Sequence, residues 1–327
     1  MVGTDDFAVA TVSFDTDEVA IPRTIRFWLL LLLDIPSIIC TFFILYHLLI
    51  DRNLRWQLNN HSTIILLLFG LTIQLIDIPL NLDFIANSGR VRPSNSILCR
   101  FWWIVDIGFY NGITIIMAWS AFERHILVFR DQWVSTRRKR FLLHYLPLII
   151  LLCYIYIFYV MVIFFPPCQN RYNYTLPVCN NFPCYLHDPI LGKWDSCVNN
   201  ILPTVLISLF VVTLVHRVYR QKRRLNQPIQ WRKQRKLIIQ LVPISVLYLI
   251  VNIPLNFLIF VHLCGVLEQS GGDVQLTFDF LGYLLILSFP FVNLASISEL
   301  RKKTSLQRLF SMRTQRRVAT TAHTCKL

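Results

Sequence analysis

Four aspartates, Asp34, Asp77, Asp106 and Asp279, fall inside long apolar runs. Asn256 and Tyr283 fall at similar depth, with Asn252 about one turn deeper. No run interior supplies a Lys or Arg to neutralise the acids. An acid in hydrocarbon without a basic partner needs a proton, a bound cation, water or a cationic ligand. A Tyr hydroxyl beside a carboxylate favours the charged form. The chemistry on offer is therefore binding of a cation or proton rather than bond breaking. No HExxH, GxSxG, phosphate loop or metal-spaced Cys/His set occurs, so no catalysis, cofactor or metal is expected. A plainer reading stands beside this one. Asp34-Ile35-Pro36, Asp77-Ile78-Pro79 and Asn252-Ile253-Pro254 each put a polar side chain two before a proline. Such groups also serve to satisfy backbone freed by the proline.

A second constellation is Glu123-Arg124-His125, which closes the run that Cys99 opens twenty-four residues earlier. At 1.5 Å per residue the two ends of that helix stand about 36 Å apart, enough to cross a bilayer. Asp106 and Arg124 are about five turns apart at 3.6 residues per turn. They therefore share a face with Tyr110, Ile113, Met117 and Ser120. One rigid helix could report an event at one surface to the other. Gly108-x-x-x-Gly112 on the same run matches a helix-association motif, read here as close packing.

The elements that must position these residues are seven apolar runs, at about 27–50, 62–86, 98–128, 142–166, 198–216, 237–263 and 276–298. The chain is 55% hydrophobic and 15% charged. Its runs are continuous rather than alternating, so helices and not strands are predicted. The expected fold is an all-α membrane protein. It comprises an N-terminal tail (1–26), a seven-transmembrane helix bundle (27–298), and an amphipathic helix with a cytoplasmic tail (299–327). That helix, Glu299 to Met312, gathers Leu306, Leu309 and Phe310 on one face and suits the membrane surface.

Most of the 32 Lys and Arg follow runs 1, 3, 5 and 7. Cytoplasmic loops carry the basic excess, which puts the N-terminus outside and the C-terminus inside. The same pattern explains the net charge of +14 without nucleic acid, and makes anionic lipid the nearer partner. The basic clusters at 137–140, 222–224 and 232–236 all fall on the inner side. Cys99, Cys168, Cys179, Cys184 and Cys197 fall on the outer side, where disulfides persist. Asn173-Tyr174-Thr175 is an outer glycosylation sequon, whereas Asn60-His61-Ser62 lies inside and should stay unmodified.

Cys99 and Glu123-Arg124-His125 at this spacing, the basic loop with Trp133, Pro203, Pro254 and Pro290 in runs 5, 6 and 7, and the stretch from Glu299 to Met312 together resemble the rhodopsin-like family of G protein-coupled receptors. The likeness covers about residues 27–312. It departs at Gly70, where the family has its sodium-site aspartate. It departs again at Asn252, where the family has a tryptophan, and at Phe289-Pro290-Phe291-Val292-Asn293 in run 7. Run 4 lacks its usual tryptophan.

The resemblance implies a plasma-membrane receptor for an extracellular ligand, a peptide or amine with a cationic one favoured, held by Asp106, Tyr110, Asp77, Asn252, Asn256, Asp279 and Tyr283. Asp106 and Tyr283 match positions that amine receptors use. Glu123, Arg124 and His125 would engage a heterotrimeric G protein, with Glu123 as the resting partner of Arg124. Pro203, Pro254 and Pro290 would serve as helix pivots. The family also pairs the run-3 cysteine with one in the outer loop. Cys184, nineteen residues before Pro203, is the first choice for Cys99, with Cys179 as the alternative. Cys168 would take whichever is left, and Cys197 would be free or paired to Cys264. The competing readings are an ion-coupled transporter or channel, and a receptor-like protein that has lost coupling.

Overall fold

A computed structural model of the chain describes residues 21–87, 89–129, 136–179, 183–224, 228–263 and 272–296. Among these residues the fold is all-α, with no strand. Six helices are long and apolar enough to cross a membrane: α1 (Arg23–Ile50), α2 (Asn60–Ala86), α3 (Ser96–Leu127), α4 (Arg137–Phe164), α5 (Leu191–Arg217) and α6 (Val242–Val261, the apolar part of a longer helix). A further helix, α7 (Gly272–Ser296), carries a shorter apolar segment, Phe280–Ser296. The stretch 299–312, Trp133 and Cys264 lie outside the described residues, as do the side chains of the basic clusters at 222–224 and 232–236.

The polarity of α1 is inverted relative to a helix in water. Its outward stripe is apolar: Leu32, Ile35, Ile39, Phe42, Tyr46 and Leu49 are all exposed. Its buried stripe includes Asp34, Ser37 and Thr41. The Ser37 hydroxyl donates to the Leu287 carbonyl of α7 at 2.8 Å and accepts from the Gln74 amide of α2 at 2.8 Å. Polar groups inside and apolar groups outside suit a hydrocarbon surround.

Packing closes the helices into a ring. α1 touches α2 and α7, α6 touches α5 and α7, and α3 touches α2, α4, α5 and α6. α3 is the central rod: 67% of its apolar stretch is buried, against 28% for α4. Glycine makes the close approaches possible. A Cβ on Gly112 would lie 2.8 Å from the Phe69 ring, and one on Gly108 would lie 3.2 Å from Tyr159.

Four of the helices contain a wide π turn, at Ile73–Asp77 in α2, Ile104–Phe109 in α3, Phe141–Tyr145 in α4 and Asp195–Ile201 in α5. Three of the four end two residues before a proline: Pro79, Pro147 and Pro203. Proline lacks an N–H and its ring collides with the carbonyl four residues back. In each case that carbonyl belongs to the widened turn (Leu75, Leu143, Asn199), where bonding to the fifth residue relieves the conflict. Pro36, Pro254 and Pro290 instead sit within regular α-helix.

Several helices start earlier than the sequence reading, and at two of them a local side-chain cap accounts for it. α4 begins earlier because Thr136 caps it, accepting from the Lys139 amide at 3.4 Å. α5 begins near Leu191. There the Asp188 carboxylate accepts from the Ile190 and Leu191 amides, both at 2.9 Å. Those bonds, Leu191 first, hold its carboxyl below the usual aspartate range. The earlier start draws Asp195 from the expected loop into the bundle, where it is 3% exposed.

The loop between α4 and α5 is pinned to α3 by Cys99–Cys179, and Cys168 pairs with Cys184. This corrects the first-choice pairing of Cys99 with Cys184. With α5 starting near Leu191, Cys184 lies close to that helix. Cys179 is instead held against α3, because the Trp103 indole donates to the Val178 carbonyl at 2.8 Å. Val178 and Cys179 adopt φ of 51° and 55°, a region that costs non-glycine residues energy unless neighbouring contacts hold them. Trp103 also stacks on Tyr172, whose hydroxyl accepts from Arg100 at 3.0 Å. Cys197 is a free, exposed cysteine.

Candidate functional site

Three polar clusters interrupt the apolar bundle, and each contains residues of a π turn. The first joins α2, α3 and α7. Asp77 Oδ1 accepts from Trp102 Nε1 at 2.7 Å, from Asn81 Nδ2 at 3.1 Å and from the Tyr283 hydroxyl at 3.3 Å. The same hydroxyl lies 3.1 Å from Asp106 Oδ1 and accepts from Asn81 at 2.8 Å. A phenol has one hydrogen, so Tyr283 serves one carboxylate at a time. Asp77 is buried and its Oδ2 makes no hydrogen bond, while Asp106 is only half-buried. The π turns place both acids: Asp77 is the last residue of one and Asp106 lies within another.

Tyr110, Asn252 and Asn256 form an adjoining network rather than part of this pair. The Tyr110 hydroxyl donates to Asn252 Oδ1 at 3.2 Å. Asn252 donates to the Tyr248 carbonyl at 3.1 Å, and Asn256 donates to Thr204 Oγ1 on α5 at 3.2 Å. The Tyr248 hydroxyl bonds Thr114 of α3. The ring of Tyr110 lies against Gly282, where a Cβ would sit 3.2 Å from it. These residues couple α3, α5 and α6 one step below the carboxylate pair. The side chain of Asp279 lies outside those described. Asp34 is buried on α1 with Oδ1 unbonded and does not join the pair.

The second cluster was not foreseen. Asp195 Oδ1 accepts from Tyr159 at 2.7 Å and Asn199 at 2.7 Å, and its Oδ2 accepts from Tyr185 at 3.2 Å. Asn111 of α3 donates to the Tyr159 hydroxyl at 2.8 Å. The cluster ties the α4–α5 loop to α3, α4 and α5. Asn199 and Asn200 stand four and three residues before Pro203, but the residue two before it is Ile201, so the motif seen before Pro36, Pro79 and Pro254 does not recur here.

The third cluster lies at the other end of α3. Glu123 Oε2 accepts from Ser62 at 2.9 Å, and Oε1 pairs with His144 Nδ1. His144 Nε2 in turn meets His61 Nδ1 at 2.9 Å. Glu123, Arg124 and His144 are 3%, 2% and 2% exposed. Glu123 still acts electrostatically on Arg124, but its hydrogen bonds go to α2 and α4. The expected resting partner of Arg124 thus also binds Ser62 and His144. His125 Nε2 meets the Phe210 carbonyl of α5 at 2.6 Å. Ser62, His61 and His144 carried no signal in the sequence beyond an inner sequon and an ordinary histidine.

Among the described residues, no group of three or more His, Cys, Asp or Glu is placed to hold a metal ion. No protein-family model matches the chain, and no curated protein matches it.

Proposed function

We propose that this chain is a seven-helix receptor of the rhodopsin-like kind, with α7 as the seventh crossing and the N-terminus outside. It binds a cationic extracellular ligand at Asp106, Asp77 and Tyr283 and signals to a heterotrimeric G protein through Glu123, Arg124 and His125. The observation that carries this reading is the pair of polar clusters on one central helix. The carboxylate pair lies toward the disulfide end of α3, and the Glu123–His144 cluster lies toward the other. The Tyr110–Asn252 network between them joins α3 to α6 beside Pro254, which suits a shift of α6 that opens the inner end. A ligand drives such a shift only by the difference in its affinity for the two states.

The test is nucleotide exchange in cells expressing the chain, screened with amines and basic peptides. Arg124→Ala should abolish agonist-driven exchange while leaving agonist binding in place. Asp106→Asn should cost cationic agonists far more than neutral ones. Exchange that survives Arg124→Ala overturns the mechanism, and binding without exchange in the parent chain marks a receptor-like protein that has lost coupling.

The buried carboxylate pair also favours a second reading, an ion-coupled transporter. Ion flux in proteoliposomes that vanishes with Asp77→Asn would establish that reading instead.

A further inference from the structure

Asp77 and Asp106 come from different helices, yet one hydroxyl, that of Tyr283, reaches a carboxylate oxygen of each within 3.3 Å. Two carboxylates that share a site do not both ionise; one keeps a proton, which the other accepts. The fixed donors are unequally divided. Trp102 and Asn81 both bond Asp77 Oδ1, which favours the negative charge on Asp77. Asp77 Oδ2 is buried with no bond from the protein and is therefore open to a proton or a cation.

Among the described side chains, α3 contributes Asp106 and Tyr110, α7 contributes Tyr283, and α1 carries the buried Asp34; Asp279, one turn before Tyr283 on α7, lies outside them. Among the described residues, the groups bonded to the two acids are Trp102, Asn81 and Tyr283, none of them basic. The nearest guanidinium along α3, Arg100, is turned to Tyr172.

We propose that the Asp77–Asp106 pair holds one proton when empty and releases it in exchange for one organic monocation, an ammonium or guanidinium group seated between Asp106 and Asp77 Oδ2. The cation half rests on the receptor reading above; the proton half stands on the geometry alone. In the exchange the carboxyl O–H bond breaks and the proton leaves to solvent. Two carboxylates then face one positive charge, so the buried site keeps the same net charge of −1 before and after. This balance lets a low-dielectric site accept a charged ligand without adding a charge to the bundle interior. It also links binding to pH, with affinity rising about tenfold per pH unit while the pair is protonated.

Infrared difference spectroscopy on the purified full chain in lipid nanodiscs tests both halves. At neutral pH a protonated carboxyl band is expected that Asp34→Asn leaves in place, altered by Asp77→Asn and by Asp106→Asn alike and shifted by Tyr283→Phe. Tyr283→Phe and Asp106→Asn remain informative if Asp77→Asn fails to fold. Methylammonium and methylguanidinium, added against sodium at constant ionic strength, should remove the band. Its titration midpoint should move down about one pH unit per tenfold rise in probe above its Kd. Absence of that band, or a band altered by only one of the Asp77 and Asp106 variants, overturns the shared proton. A band indifferent to both probes overturns the exchange. Failure of the receptor reading shows separately, as absent nucleotide exchange with the infrared result intact.

Discussion

Asp195 shows a buried carboxylate whose donors all come from the protein, with Tyr159, Asn199 and Tyr185 each bonded to it. It needs no ligand, and its role is to hold the α4–α5 loop, α4 and α5 in one arrangement. Asp195→Ala leaves the buried Tyr159 and Tyr185 hydroxyls without their acceptor, each worth about 1–3 kcal/mol. The melting point in detergent should therefore fall far more than for Asp195→Asn, which keeps one acceptor oxygen. Equal effects would mean that the cluster contributes little to stability. Asp77 and Asp106 differ in kind, since one oxygen of Asp77 stays unbonded. That contrast separates a structural acid from a binding one more clearly than burial does. The grouping of Asp77, Asp106 and Tyr283 was legible in the sequence because an acid in an apolar run with no basic partner stands out. The partners of Glu123 were not, because Ser62 and His144 are ordinary residues near helix ends and only tertiary packing brings them to it.

At the scale of elements, 3.6-residue periodicity located the helices but not their local phase. A π turn adds one residue without ending the helix, so a face counted across Ile104–Phe109 or Asp195–Ile201 is displaced beyond it. The prolines at 79, 147 and 203 were visible in the sequence; which prolines would widen a turn was not, since Pro36, Pro254 and Pro290 leave theirs regular. Deleting the half-exposed Ile76 should close the turn in α2 to regular α-helix and preserve the facing of both flanks. Deleting the similarly exposed Leu68 should rotate everything beyond it by about 100°. Monodisperse yield on size-exclusion chromatography should survive the first deletion and collapse with the second. Helix spacing has an equally local control. Gly112→Ala drives a methyl into Phe69, where the free distance is 2.8 Å, whereas a Cβ on Gly70 meets nothing nearer than 3.9 Å. Gly112→Ala should destabilise by about 1–3 kcal/mol and Gly70→Ala should be close to neutral, as read by thermal unfolding.

The whole molecule is a ring of helices around α3, bounded at one end by a loop fastened through Cys99–Cys179 and Cys168–Cys184. Continuous apolar runs made the helical class readable, because neither alternation nor caps compete with so strong a pattern. The disulfide pairing was less readable, since it depends on where α5 begins, and Asp188 sets that point through a cap. Orientation across the membrane can be settled at the two sequons. Asn173 is exposed, and its Oδ1 accepts from the Thr175 hydroxyl at 2.6 Å, so a glycosyltransferase on that side would reach it. Asn60 is 2% exposed and its amide donates to the Leu54 carbonyl at 2.8 Å, which withholds the same nitrogen. Expressed in a secretory-competent cell, the chain should carry one glycan. Its gel shift should be removed by glycosidase and by Asn173→Gln, and unaffected by Asn60→Gln. A new sequon placed after residue 312 should remain unmodified if an odd number of crossings separates it from Asn173. Modification at both sites would place the loop and the tail on one side of the membrane and overturn the count of three crossings between them that the seven-helix reading requires.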